Sequence, residues 1–97
     1  MPKGYMLSAY RSLADAEKAD ACRGLARPAM EAMGGRMLAA TLNVVAKENG
    51  LAERTVLIEF ESMEAAIAAY ESAAYQEALA VLSGGADRDI RLFEGLE

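Results

Sequence analysis

Two glycine pairs, Gly34-Gly35 and Gly84-Gly85, constrain this chain more than any other feature. Each pair follows a stretch with helical spacing and precedes one with strand spacing. A glycine takes the left-handed conformation at a helix C-terminus without strain, so each pair ends a helix rather than opening a phosphate-binding one. The chain therefore divides into two strand–helix–strand units joined end to end, and few topologies accommodate that order.

Residues 4–11, Gly-Tyr-Met-Leu-Ser-Ala-Tyr-Arg, open the first unit. Tyr5, Leu7 and Ala9 alternate with Met6, Ser8 and Tyr10. Apolar groups on both faces are the pattern of a central strand covered on both sides. Ser12-Leu13-Ala14-Asp15 reads as a capping-box variant that starts a helix. Cys22, Leu25, Ala26, Ala29, Met30 and Met33 then recur at helical spacing. Pro28 falls inside that run and has no backbone donor, which predicts a kink or a break near residues 24–28. Arg27 and Glu31, four apart, pair on the exposed side.

Residues 36–47 read as a second strand, with Arg36, Leu38, Ala40 and Leu42 on one face and Met37, Ala39 and Thr41 on the other. Glu48-Asn49-Gly50 supplies a turn, and residues 53–60 return as the hairpin partner. There Val56, Ile58 and Phe60 oppose Thr55, Leu57 and Glu59. Ser62 caps a second helix whose stripe is Met63, Ile67, Tyr70, Ala74, Ala78 and Leu82, with a slight break at Ser72. Residues 89–94 form a short last strand, Ile90 and Leu92 against Arg91 and Phe93.

That order is the β-α-β-β-α-β pattern of a ferredoxin-like α+β sandwich, here one domain over residues 1–97. Two helices cover one face of a four-stranded antiparallel sheet. The other face still carries Leu, Ala, Tyr and Phe, and a symmetric homodimer joining two such faces buries it.

Composition narrows the function classes. The 97 residues are 54% hydrophobic and 26% charged, which excludes a disordered chain. At this size roughly 64% of the unfolded surface is buried on folding, enough for one core. One Cys and no His exclude a Cys/His zinc site, His-based acid–base chemistry and an internal disulfide, so no metal and no cofactor is expected. The net charge of −5 argues against nucleic acid and anionic membranes as partners. Residues 1–50 carry seven basic and five acidic groups, or +2; residues 51–97 carry three and ten, or −7. Glu61, Glu64, Glu71 and Glu77 are read as the wet face of a helix. With no 18-residue apolar run and no signal-peptide core at the start, a cytoplasmic location is expected.

Glu59 is the leading candidate for chemistry. Alternation puts it on the uncovered sheet face among hydrophobic neighbours, where a carboxylate is partly desolvated. It is then either a cavity acid, base or ligand anchor, or a carboxylate paired with Arg36 or Arg91 or solvated at a dimer rim. Arg36 offers a two-pronged donor to a ligand carboxylate or an ion pair to a second subunit. Tyr5 and Tyr10 lie on opposite faces of the first strand, so one of them lines an intersubunit cavity. Tyr70 and Tyr75 read as helix packing with the phenol reaching water. Met30, Met33, Met37 and Met63 read as core filler, and Cys22 as a buried small hydrophobe.

The sequence resembles the domain-of-unknown-function 1330 family of the dimeric α+β barrel superfamily. The resemblance is carried by Lys3-Gly4-Tyr5, by Ala26-Arg27-Pro28-Ala29 through Gly34-Gly35-Arg36, and by Arg54-Thr55-Val56-Leu57-Ile58-Glu59-Phe60. It continues through Ser62-Met63-Glu64-Ala65-Ala66, Tyr70-Glu71-Ser72 and Tyr75-Gln76. It implies a homodimer whose sheets face each other around a cavity. Two departures stand out: Met33 occupies a position where the family often has His, and Ala39-Ala40-Thr41 one where it often has Arg-Gly. Three roles are open at this point. One is a small organic ligand bound between the sheets, with Tyr5, Arg36 and Glu59 as candidate contacts. Another is a cofactor-independent isomerase or monooxygenase using Glu59 as acid or base. The third is a purely structural dimer.

Overall fold

The computed structural model describes residues 2–97. Four strands, β1 (Gly4–Leu13), β2 (Arg36–Thr41), β3 (Thr55–Phe60) and β4 (Ala86–Glu94), form one antiparallel sheet in the order β2-β3-β1-β4. Three helices, α1 (Ala16–Ala32), α2 (Met63–Glu71) and α3 (Ala73–Leu82), lie on one side of it. This is the expected ferredoxin-like sandwich, with the second helix in two pieces.

Several local expectations are corrected. β1 runs on to Leu13, and Asp15, not Ser12, is the cap of α1, its Oδ1 accepting from the backbone N–H groups of Glu17 and Lys18. The reason lies in β4, which begins at Ala86 and pairs with Ser12 and Leu13, holding them extended. α1 does not break at Pro28; the helix is continuous through it. Pro28 is exposed, so its ring meets solvent rather than packing, and the lost bond to Gly24 is absorbed within the helix. β2 ends at Thr41, six residues short of the expected limit.

A β-bulge at Leu38 changes the faces of β2. Met37 pairs with Ile58, but Ala39, not Leu38, pairs with Leu57. Ala40 therefore joins Met37 on the helix side and Ala39 joins Arg36 on the open side, because one extra residue reverses the alternation beyond it.

The break at Ser72 is complete. Its φ/ψ of −64°/148° is extended, its hydroxyl donates to the Ala69 carbonyl at 2.8 Å, and it accepts from the Tyr75 N–H at 3.3 Å. One serine thus closes α2 and caps α3. Gln76 Nε2 donates to the Tyr70 carbonyl at 2.8 Å and satisfies another group freed by the break. The helical phase restarts at that point, so Tyr75 rather than Ala74 enters the core.

The core joins Met6, Ile58 and Phe60 of the sheet to Met30 of α1, Ala66 and Ala69 of α2, and Tyr75 of α3. α1 meets α3 through Ala19, Cys22, Ala78 and Leu82, and the small Ala19, Cys22 and Ala78 let the helix backbones approach closely. α1 ends as the glycine pair predicts. Gly34, at φ +88°, donates to Glu31 and Gly35 donates to Met30 at 2.9 Å, the two bonds of a Schellman cap. Gly4 is needed for another reason: a Cβ there would collide with the backbone of Ser62 and Met63, where α2 starts over β1.

The missing bond at Pro28 gives a stability test. Pro28→Ala restores a donor to the Gly24 carbonyl on an exposed helix surface and should stabilise the protein by about 1–3 kcal/mol. A higher urea midpoint at unchanged slope is the expected result.

Candidate functional site

The uncovered face of the sheet is built in rows across the strands. Arg36 of β2, Glu59 of β3, Tyr5 of β1 and Phe93 of β4 are in register in one row. The next row is Ala39, Leu57, Leu7 and Arg91. Tyr5, Arg36 and Glu59 thus come together on one face. The Tyr5 hydroxyl donates to Glu59 Oε2 at 3.3 Å, and its ring stacks on Phe93 with centroids 5.5 Å apart. Neither arginine forms an ion pair with Glu59: Arg91 binds Asp89 at 3.2 Å, and Arg36 has no carboxylate within 4.0 Å among the described residues.

A hollow within the subunit lies on the opposite, helix-covered side; a second, of about 320 Å³, is bordered by Ala9, Asp89 and Arg91 and the Asn49–Leu51 turn. The rows there run Met37, Ile58, Met6, Leu92 and then Ala40, Val56, Ser8, Ile90. The next row is polar: Tyr10 pairs with Arg88, and its N–H donates to the carbonyl of Arg54 at 2.9 Å. Between these rows and the Cys22–Met30 stretch of α1 is an open pocket of about 330 Å³. Met6, Met30, Met37, Val56 and Ile58 are among its apolar walls. Ser8, Tyr10, Tyr75, Arg54 and Arg88 supply its polar end, Arg23 and Arg27 of α1, paired with Asp20 and Glu31, also border it, and no Asp or Glu lines it.

Packing explains why the space is there. Phe60 and Met30 fill the end of the interlayer near the α1 C-terminus. At the other end β2 has stopped, and Gly24 and Ala26 present almost no volume toward the sheet. Arg88 is held in place: its guanidinium sits 5.9 Å from the Tyr10 ring centroid, and its Nη1 lies 3.5 Å from Ser8 Oγ. Arg54 Nε is buried without a hydrogen-bond partner. Among the described residues neither Arg54 nor Arg88 has a carboxylate within 4.0 Å, and no cluster of metal-ligating side chains is present.

Burial pushes the Tyr75 phenol and the Cys22 thiol above their ordinary values, with the nearby Arg88 charge pulling each the other way. Cys22 is therefore a protonated wall residue rather than a nucleophile. Tyr5 is also raised, by desolvation first and then by the charge of Glu59 and the hydrogen bond to it.

Sequence reasoning missed this pocket. It placed Tyr10 as one of two possible cavity tyrosines, treated the methionines as filler, and expected the Tyr75 phenol to reach water, whereas Tyr75 is 2% exposed. A signal was present. Arg54, Ser8, Tyr10 and Arg88 all share the parity of the buried residues on their strands, so alternation alone sends polar groups inward there.

The raised groups fix the alkaline limb of stability. Tyr75 and Cys22 keep their protons in the native state while the unfolded chain sheds them near the ordinary values of 10.0 and 9.0. Stability is full below those values and is lost as pH rises through the higher native ones. The melting temperature should fall between about pH 9 and pH 11, and more gently in Tyr75→Phe, as calorimetry across that range would read.

Solved structures share the architecture. The RPA0582 protein of unknown function from Rhodopseudomonas palustris is 18% identical at a TM-score of 0.72, over 99% of this chain and 84% of that one. SnoaB, a cofactor-independent oxygenase from Streptomyces nogalater, is 10% identical at 0.58, over 99% and 93%. A dimeric ferredoxin-like protein of unknown function from Thermobifida fusca is 12% identical at 0.55, over 96% and 91%. No curated protein matches the chain. These identities carry the fold and no more. The family model described as a domain of unknown function, DUF1330, matches residues 3–96, and the chain belongs to that family.

Proposed function

We propose that this protein is a homodimer that binds a small organic molecule in the pocket between α1 and the sheet of each subunit. The observation that carries the reading is the pocket itself: about 330 Å³, mostly apolar walls, and a few polar groups gathered at one end. That is the usual make-up of a small-molecule site, in size and in lining. The uncovered sheet face, with Leu7, Leu57, Tyr5 and Phe93, is the surface a second copy covers, and solved neighbours are described as dimeric. The lone free thiol of Cys22 fits a cytoplasmic setting.

A second reading rests on the open-face row. Two such faces in a dimer place Arg36, Glu59 and Tyr5 of both subunits around one axis. A ligand held between the sheets then meets an acid–base pair already joined by a hydrogen bond. The described neighbours include a cofactor-independent oxygenase, which keeps Glu59-dependent catalysis in this second reading.

Methionine methyl and aromatic ring NMR together separate the two. Met6, Met30 and Met37 line the pocket, whereas Met33 and Met63 do not. With benzoate, benzamide, hexanoate and hexanamide as probes, shifts confined to the first three methyls, abolished by Ala40→Trp, support the pocket reading. Shifts at Tyr5 and Phe93 instead, lost in Glu59→Gln, would move the site to the open face. A set of probes that moves no resonance would leave the structural dimer as the function.

A further inference from the structure

From the polar end of the pocket we infer that the ligand is an organic acid, its carboxylate held by Arg54 and Arg88 and its apolar body laid against the methionines; this rests on the pocket reading above. The chain carries five more negative than positive charges, so arginines without acidic partners are not its default. Only three basic residues occur after residue 50. Arg91 is paired with Asp89 on the open face, and the other two line this pocket.

Their placement is dictated by the sheet. Arg54, just before β3, and Arg88 of β4 flank Tyr10 on either side, and both line the same pocket. Arg54 Nε is buried and donates to nothing. A buried donor left unmade costs free energy comparable to a lost hydrogen bond, and more when the group is charged. A carboxylate offers two acceptor oxygens in the planar geometry that a guanidinium fork matches. Arg88 is positioned in advance by the Tyr10 ring and Ser8, so less freedom is lost on binding.

The rest of the pocket sets the body of the acid. The wall made by Met30 and Met37 with Val56 and Ile58 has no hydrogen-bonding side chain, so it favours an unsubstituted aliphatic or aromatic portion. A volume of about 330 Å³ corresponds to about eleven waters at liquid density, which suits an acid of on the order of ten non-hydrogen atoms. Flexible methionines adapt their shape, so a straight chain and a single ring are both accommodated.

Isothermal titration of the protein with matched acid and amide pairs tests this. Benzoate and hexanoate should bind at least about tenfold more tightly than benzamide and hexanamide, one charged hydrogen-bonded contact being enough for that ratio. Arg54→Met and Arg88→Met should each lower the acid-to-amide ratio severalfold, and Arg54→Lys should restore part of it. The wild-type acid-to-amide ratio decides the question even where a variant does not fold. Equal binding of acid and amide would overturn the carboxylate assignment and leave the pocket reading intact. Binding of neither would remove both. Inorganic phosphate competing as well as benzoate would also overturn it, because the apolar body would then contribute nothing.

Discussion

β1 is the element on which the subunit depends. It is hydrogen-bonded along both edges, to β3 and to β4, and it contributes side chains to both faces of the sheet. Met6, Ser8 and Tyr10 face the helices; Tyr5, Leu7 and Ala9 face the open side. A one-residue slip of this strand would exchange the two sets and remove both the pocket and the Tyr5–Glu59 contact. The register is held from several directions at once. The Gly4 end is pinned under the start of α2, where only a residue without a Cβ fits. At the other end, Ala14 and Asp15 both donate to the Gly85 carbonyl.

Small residues determine how the helices lie on that strand. Ala19, Ala66, Ala69 and Ala78 are fully buried. With such side chains the layers come close, and the few large groups then decide where space remains. Phe60, Met30 and Tyr75 occupy most of the interlayer; Gly24 and Ala26 leave a hollow beside them. The same stretch of α1 carries Pro28, so the helix has one fewer backbone bond where it borders the pocket.

The electrostatics follow the same division. The acids of the second half, Glu61, Glu64, Glu71 and Glu77, lie in water on exposed positions. Arg54 and Arg88 turn inward without carboxylate partners, which concentrates positive charge in a negatively charged molecule. Charge in a partly desolvated hollow is screened less than charge on the surface, so local sign outweighs net charge in choosing a ligand.

Read from the sequence alone, the order of strands and helices, the sandwich they make, the glycine-capped end of α1 and the open-face position of Glu59 are all determined, whereas which of Tyr5 and Tyr10 joins Glu59 is not. Each depends on local periodicity or on a residue whose backbone chemistry admits few conformations. The cap at Asp15, the early end of β2, the bulge at Leu38 and the phase reset that buries Tyr75 were decided only in three dimensions. In each case a neighbouring strand or helix held the chain against its local preference: β4 drew Ser12 and Leu13 into the sheet, and β3 fixed the register of β2 around the extra residue. The pocket belongs to the same class. It is a volume between layers, set by how α1 stands off the sheet, and no pattern within one segment encodes the distance between two.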